Sequence, residues 1–153
     1  VTDKDGITAG LLLLELAARV KAQGRTIQDV LDDLARAHGV HANSQVAVRV
    51  SDLSVIGATM ARLRHEPPAE IGGYAVAEVV DLSAGVDGLP ATDGLRFDMG
   101  QARVIVRPSG TEPKLKCYLQ VVVPVAGDLA EAQSQAATGM DLLRAGVSAL
   151  VGG

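Results

Sequence analysis

The run RVIVRPSGTEPKLKCYLQV, residues 103–121, decides how this chain is read. Arg103 to Arg107 and Leu115 to Val123 each have the period-two alternation of a strand, and a polar loop carrying Pro108 and Pro113 separates them. In the second strand Leu115, Cys117, Leu119 and Val121 fall on one side, and Lys114, Lys116, Tyr118 and Gln120 on the other. One face of the resulting sheet is therefore core and the other polar. The loop, Arg107 to Lys114, has the chemistry of a phosphate grip. Arg107 offers a planar fork of N–H donors, Ser109 and Thr111 add hydroxyls, and Gly110 lets an anion come close to the backbone. A nucleotide P-loop is excluded, because no Gly-Lys-Ser/Thr follows and the next element is a strand rather than a helix. The plainer alternative is a strand connection in which Pro-Ser-Gly is turn chemistry and Arg107 and Lys114 are solvated flanks. Glu112 would repel an anion, so it is expected to turn away or to pair with Lys114 or Lys116.

Working outward, Tyr74 to Leu82 and Leu95 to Met99 read as two more strands, with turns at Gly85 to Gly88 and Thr92 to Gly94. Four strands in succession predict a mostly antiparallel sheet. Leu53, Ile56, Met60 and Leu63 recur at helical steps until Pro67 and Pro68 end the helix. The tail from Asp128 has a capping-box pattern with Glu131 and a stripe of Leu129, Ala136, Met140, Leu143, Val147 and Leu150. That stripe should lie across the apolar sheet face. Residues 53–153 thus predict one α+β domain, a four-stranded mostly antiparallel sheet flanked by two helices.

Residues 1–52 read differently. Ile7 to Gln23 is a helix apolar almost all round, closed by Gly24, and it expects burial on several sides. An amphipathic helix follows from its Thr26 cap, with Asp29 three residues on, to Gly39. Then Val46, Val48 and Val50 alternate with Ala47 and Arg49 in a short strand or extended linker, flanked by Ser51 and Asp52. The helical pattern breaks from Val40 to Asp52, and a domain boundary is placed near residue 52; two helices and a short strand cannot cover the Leu-rich helix. The earlier part is expected to be the remnant of a domain whose other half lies elsewhere. A start at Val1 rather than Met fits a piece of a longer protein or a processed chain.

Composition narrows the function classes. Tyr74, Phe97 and Tyr118 are the only aromatic residues and there is no Trp, so platforms for stacking bases are scarce. The formal net charge of -4 gives no footprint for nucleic acid or an anionic membrane, so an anion site here is local. Leu11 to Leu14 is followed at once by Glu15, which interrupts any transmembrane or signal-peptide run. The single Cys117 excludes an intramolecular disulfide and fits a reducing, cytoplasmic compartment. It lies on the apolar face of its strand as a small buried hydrophobe. Asp3-Lys4-Asp5-Gly6 does not make a calcium loop, because aligning Gly6 puts Leu12 where the bidentate Glu must stand. His38, His41 and His65 sit near helix ends without a carboxylate or thiol cluster, as capping or solvated side chains rather than metal ligands.

Residues 103–121 resemble the phosphate-binding loop of the C-terminal domain of the α-D-phosphohexomutase family, the phosphomannomutases and phosphoglucomutases, in the Arg-x-Ser-Gly-Thr-Glu-Pro core. More loosely, the VTDKDGI start and the Leu/Ala-rich helix are similar to the end of that family's third, α/β, sugar-binding domain, and residues 53–153 to all of its fourth. The resemblance implies that Arg107, Ser109, Gly110 and Thr111, with Lys116 in second rank, hold the phosphate that is not being transferred. It further implies a phosphoserine and Mg2+ in earlier domains, a hexose phosphate substrate, a bisphosphorylated sugar intermediate that reorients, and a mobile lid in the fourth domain. Neither a Ser-His-Asn-Pro serine loop nor an Asp-Gly-Asp-Gly-Asp metal loop occurs in these residues. The chain alone is accordingly expected to bind no metal and to have no mutase activity, and to depend on the missing N-terminal domains as partners. A stand-alone phosphosugar-binding module, a structural interaction domain and a phosphopentomutase of the same family stay open as alternatives.

Overall fold

A computed structural model describes residues 4–50, 52–86, 88 and 90–152. Val1 and Asp3 at the start, Ser51 in the expected boundary and Asp87 in the expected turn lie outside the described residues. The elements are helices α1 (Gly6–Ala22), α2 (Ile27–His38), α3 (Leu53–His65) and α4 (Leu129–Val151) with strands β1 (Val40–Arg49), β2 (Glu70–Ile71), β3 (Tyr74–Ala75), β4 (Glu78–Asp81), β5 (Leu95–Met99), β6 (Ala102–Pro108) and β7 (Lys114–Val123).

The α+β class and the antiparallel sheet stand as the alternation predicts. The sheet has five strands, in the order β1-β7-β6-β5-β4, rather than four. The extra strand is β1, antiparallel to β7 from Val40↔Val123 to Arg49↔Lys114. Its alternation is what makes this pairing stable. Val46 and Val48 stand opposite Cys117 and Leu115 on the core face, while Gln45 and Ala47 stand opposite Tyr118 and Lys116 on the polar face.

The expected strand from Tyr74 to Leu82 is split. Tyr74–Ala75 pairs with Glu70–Ile71 in a separate hairpin, and Glu78–Asp81 joins the main sheet beside β5. The switch occurs where Val76 N–H donates to Ala69 and Ala77 N–H to Asp98. Gly72 and Gly73, with φ of 61° and 86°, turn the hairpin through the left-handed region that side chains disfavour.

The core lies between one face of the sheet and helices α3 and α4. Phe97, Val104, Val106, Cys117, Leu63, Leu143 and Val147 are fully buried there. α4 starts at Asp128, whose carboxylate accepts from the Ala130 N–H at 3.1 Å. The expected reciprocal contact from Glu131 is replaced by a bond from the Gln135 amide to the Glu131 carboxylate, so this end is singly capped. α2 does have its capping box: Thr26 Oγ1 accepts from Asp29 N–H, and the Asp29 carboxylate accepts from Thr26 N–H at 2.7 Å. α1 contributes only Val20 to the buried set, and Leu11 and Leu14 remain 62% and 67% exposed. Most of the apolar circumference that expects cover is exposed among the described residues.

Candidate phosphate-binding site

Because α3 and α4 both pack on the apolar face, the opposite face of the sheet is left open, and the loop between β6 and β7 stands at one end of it. The loop is closed at its base. Ser109 N–H donates to the Lys114 carbonyl at 2.9 Å, and Lys114 N–H donates to the Glu112 carbonyl at 2.7 Å. A third bond, from Val50 N–H to the Pro113 carbonyl at 3.0 Å, ties the loop to the end of β1.

Register places the cations. Arg107 stands directly opposite Lys116, so the two like charges are neighbours on the open face. Like charges directly opposite in an antiparallel pair are destabilising unless an anion lies between them. Among the described residues neither side chain has an acidic partner. Arg107, Gly110 and Thr111 are exposed, and Lys116 is half-buried. Gly110 is not held in a left-handed conformation, and a Cβ there would meet nothing within 4 Å. It leaves room beside the backbone rather than making an unusual turn.

Ser109 differs from the rest of the set. Its Oγ is buried and has no hydrogen-bond partner among the described residues. An orphaned hydroxyl of this kind costs on the order of 1–3 kcal/mol, and a loop that carries one is short of an acceptor. The structure thus brings Arg107, Lys116, Gly110 and Thr111 to the surface together and keeps Ser109 Oγ just beneath it.

Glu112 is paired rather than free, as expected. Its carboxylate is held by the Lys114 ammonium and by Arg49 at 3.1 Å. The hydrogen bond and charge of Lys114, with a smaller contribution from Arg49, hold this carboxyl below the usual glutamate range. Arg49 is the contact that the sequence reading left unassigned. The Val46-Ala47-Val48-Arg49 alternation puts it on the polar face, but only the β1–β7 pairing brings it to the loop.

Elsewhere on the face Asp98 bridges Arg96 at 2.7 Å and Arg103 at 2.6 Å. Burial raises the Asp98 pKa, but the two arginine hydrogen bonds outweigh it and leave the group below the usual aspartate range. Cys117, fully buried under the sheet, has its thiol pushed up to about 12 by burial. A thiol so placed is no nucleophile. Among the described residues no three His, Cys, Asp or Glu side chains gather as a metal site. The loop's one carboxylate is occupied by two cations, so the donors present do not suit Mg2+, which takes oxygen ligands. No described helix is long and apolar enough to cross a membrane.

Residues 14–137 match the family described as "Phosphoglucomutase/phosphomannomutase, C-terminal domain". The chain is 44% identical over 120 residues to a "Probable phosphomannomutase" of Haemophilus influenzae, covering 78% of this chain and 24% of that protein. A Staphylococcus aureus phosphoglucomutase is 29% identical over 145 residues, 86% of this chain and 26% of its own length. A "Probable phosphoribomutase" of Schizosaccharomyces pombe is 31% identical over 137 residues, 78% of this chain and 23% of its own. The chain thus spans about a quarter of the length of these relatives.

Proposed function

Given that the chain belongs to the phosphoglucomutase/phosphomannomutase family through its C-terminal domain, we propose that it serves as the phosphate-holding C-terminal part of an enzyme that interconverts hexose 1- and 6-phosphates. In this reading the loop Arg107 to Lys114 grips the substrate phosphate that is not being transferred. The observation that carries it is the Arg107–Lys116 pair: two cations opposed in register, without acidic partners among the described residues, beside a loop with an orphaned Ser109 hydroxyl.

The chemistry suits a holding role. A guanidinium fork and an ammonium recognise a phosphate dianion without reading the sugar attached to it, so the same grip serves either end of a bisphosphorylated hexose. Arg107 supplies the directional contact, Lys116 adds charge, and the Gly110 and Thr111 backbone and hydroxyl close the front. Engaging Ser109 Oγ requires the loop to shift, which would couple binding to closure of the domain as a lid. Positioning of this kind lowers the barrier because anchoring the phosphate that is not transferred leaves the other, reacting phosphate in line for transfer. The nucleophilic serine and Mg2+ belong, on this reading, to other parts of the longer cytoplasmic enzyme. Residues 1–52 would be the end of its preceding sugar-binding domain, with β1 reaching across into the sheet of residues 53–153. A pentose phosphate substrate is favoured only by the phosphoribomutase relative.

The test is kinetic. In the mutase that carries this chain, Arg107→Ala should lower kcat/KM by roughly 30- to 150-fold, the loss of a charged hydrogen-bonding group worth about 2–3 kcal/mol. Phosphoryl transfer to the serine from a small, non-sugar donor should be spared. A variant with unchanged kcat/KM would rule out the holding role.

A further inference from the structure

Beyond the cation pair, the open face is ordered in rows across the strands. The first row is Ala47, Lys116 and Arg107. Two residues along, about 7 Å away at the strand rise, comes the row Gln45, Tyr118, Ile105 and Arg96. The third row is Asn43, Gln120, Arg103 and Asp98. Tyr118 is 39% exposed although it is one of the chain's three aromatic residues. Between the second and third rows lies a hollow lined by Asn43, Arg103, Ile105, Tyr118 and Gln120.

The groups lining this hollow have unspent hydrogen-bonding capacity. The Gln120 amide donates to Asn43 Oδ1 at 3.2 Å, and Arg103 Nε donates to Asp98 at 2.6 Å. The Gln120 carbonyl oxygen and the terminal amino groups of Arg103 have no protein partner among the described residues. A half-exposed ring and an aliphatic side chain, edged by an amide acceptor and a guanidinium donor, match a compact ring with apolar C–H faces and hydroxyl edges. The distance to the cation row is the span of a phosphate ester. Positive charge in the adjacent row, on a chain of net charge -4, selects a ring that carries a phosphate.

Resting on the phosphate grip proposed above, we infer that the Tyr118–Ile105 pair is a binding platform for the sugar ring of the phosphate ester held at Arg107 and Lys116. Gln120 and Arg103 would take its hydroxyls at the far edge. The C-terminal part then contributes to holding the sugar as well as the phosphate.

The experiment compares inorganic phosphate, glucose 6-phosphate and glucose by titration of the 15N-labelled 153-residue chain, following backbone amides. Phosphate should shift only residues of the loop and Lys116. Glucose 6-phosphate should also shift Ile105, Tyr118 and Gln120, and bind more tightly than phosphate. Tyr118→Ala should cut that preference about fivefold, the size of one aromatic contact, and leave the affinity for inorganic phosphate unchanged. Tyr118→Phe, which keeps the ring, should retain it. If both ligands shift the loop alike and the platform not at all, the ring inference is overturned and the phosphate grip stands; this face is then free for a protein partner. If neither ligand shifts the loop, both readings fall. Wild-type shifts decide the matter even if Tyr118→Ala does not fold.

Discussion

Gly146→Ala sets two physical effects against each other and predicts which wins. Gly146 lies inside α4, where replacing glycine by alanine ordinarily stabilises a helix by about 1 kcal/mol. Here a Cβ would stand 2.7 Å from Gly72 Cα and closer still to its nitrogen. Carbon atoms pack best at about 3.5–4.0 Å, so helix and hairpin must part by about 1 Å. The obstacle is backbone, and no rotamer can relieve it. The reciprocal contact is as tight, since a Cβ on Gly72 would lie 2.7 Å from Leu143 Cα. Overpacking of this kind costs about 1–3 kcal/mol, so the net effect is destabilisation by about 1 kcal/mol. Gly57→Ala in α3 is the matched control. Gly57 is exposed with nothing within 4 Å of a Cβ, and the substitution there should stabilise by up to about 1 kcal/mol. Urea unfolding followed by far-UV circular dichroism measures both. A Gly146→Ala variant as stable as the parent, or more so, would refute the close approach of α4 to the Gly72–Gly73 turn.

Two further outcomes follow from the open face and the core. Asp98 is held below the usual aspartate range, so its contribution to stability is present above about pH 4 and is lost as the pH falls through the lowered value. Asp98→Asn should therefore cost about 1–3 kcal/mol at pH 7, with the difference from the parent shrinking towards zero in acid; a difference independent of pH would contradict the pairing with Arg96 and Arg103. Cys117, buried and shifted to about 12, should resist iodoacetamide at pH 8 in the folded chain and react at the rate of unfolding. Stoichiometric labelling of the folded chain within minutes would show that the apolar face of β7 is not buried under α3 and α4.

What could be read from the sequence is what local periodicity encodes. Strands β5, β6 and β7 and the stripe of α4 announce themselves because their core residues repeat at fixed short intervals. Partner choice is not local. The Val46-Val48 alternation marks a strand but does not say that it pairs with β7 from the far side, about seventy residues on. Nor does the Val-rich run after Tyr74 reveal that the chain changes partner at Val76 and Ala77, where Ala69 and Asp98 supply the acceptors. The Gly72–Gly146 contact is silent for the same reason: neither glycine's neighbours in sequence indicate what its missing side chain admits.

The candidate site divides along the same line. Arg107, Ser109, Gly110 and Thr111 are consecutive enough to be recognised as one loop, and strand spacing puts Lys116 on the face of Lys114. That Arg107 and Lys116 oppose each other, that Glu112 is held by Arg49 and Lys114, and that Ser109 Oγ is sealed without a partner depend on register and packing. The electrostatics of the loop are therefore set by the fold rather than by composition.

Titration of inorganic phosphate into the 153-residue chain, into Arg107→Ala and into Arg107→Lys bears on the grip itself. Phosphate should shift the amides of Arg107, Ser109, Gly110 and Thr111, bind roughly 30- to 150-fold more weakly to Arg107→Ala, a loss of about 2–3 kcal/mol, and bind more weakly to Arg107→Lys because an ammonium cannot make the forked contact. Equal affinity in all three folded proteins would contradict a phosphate grip at this loop.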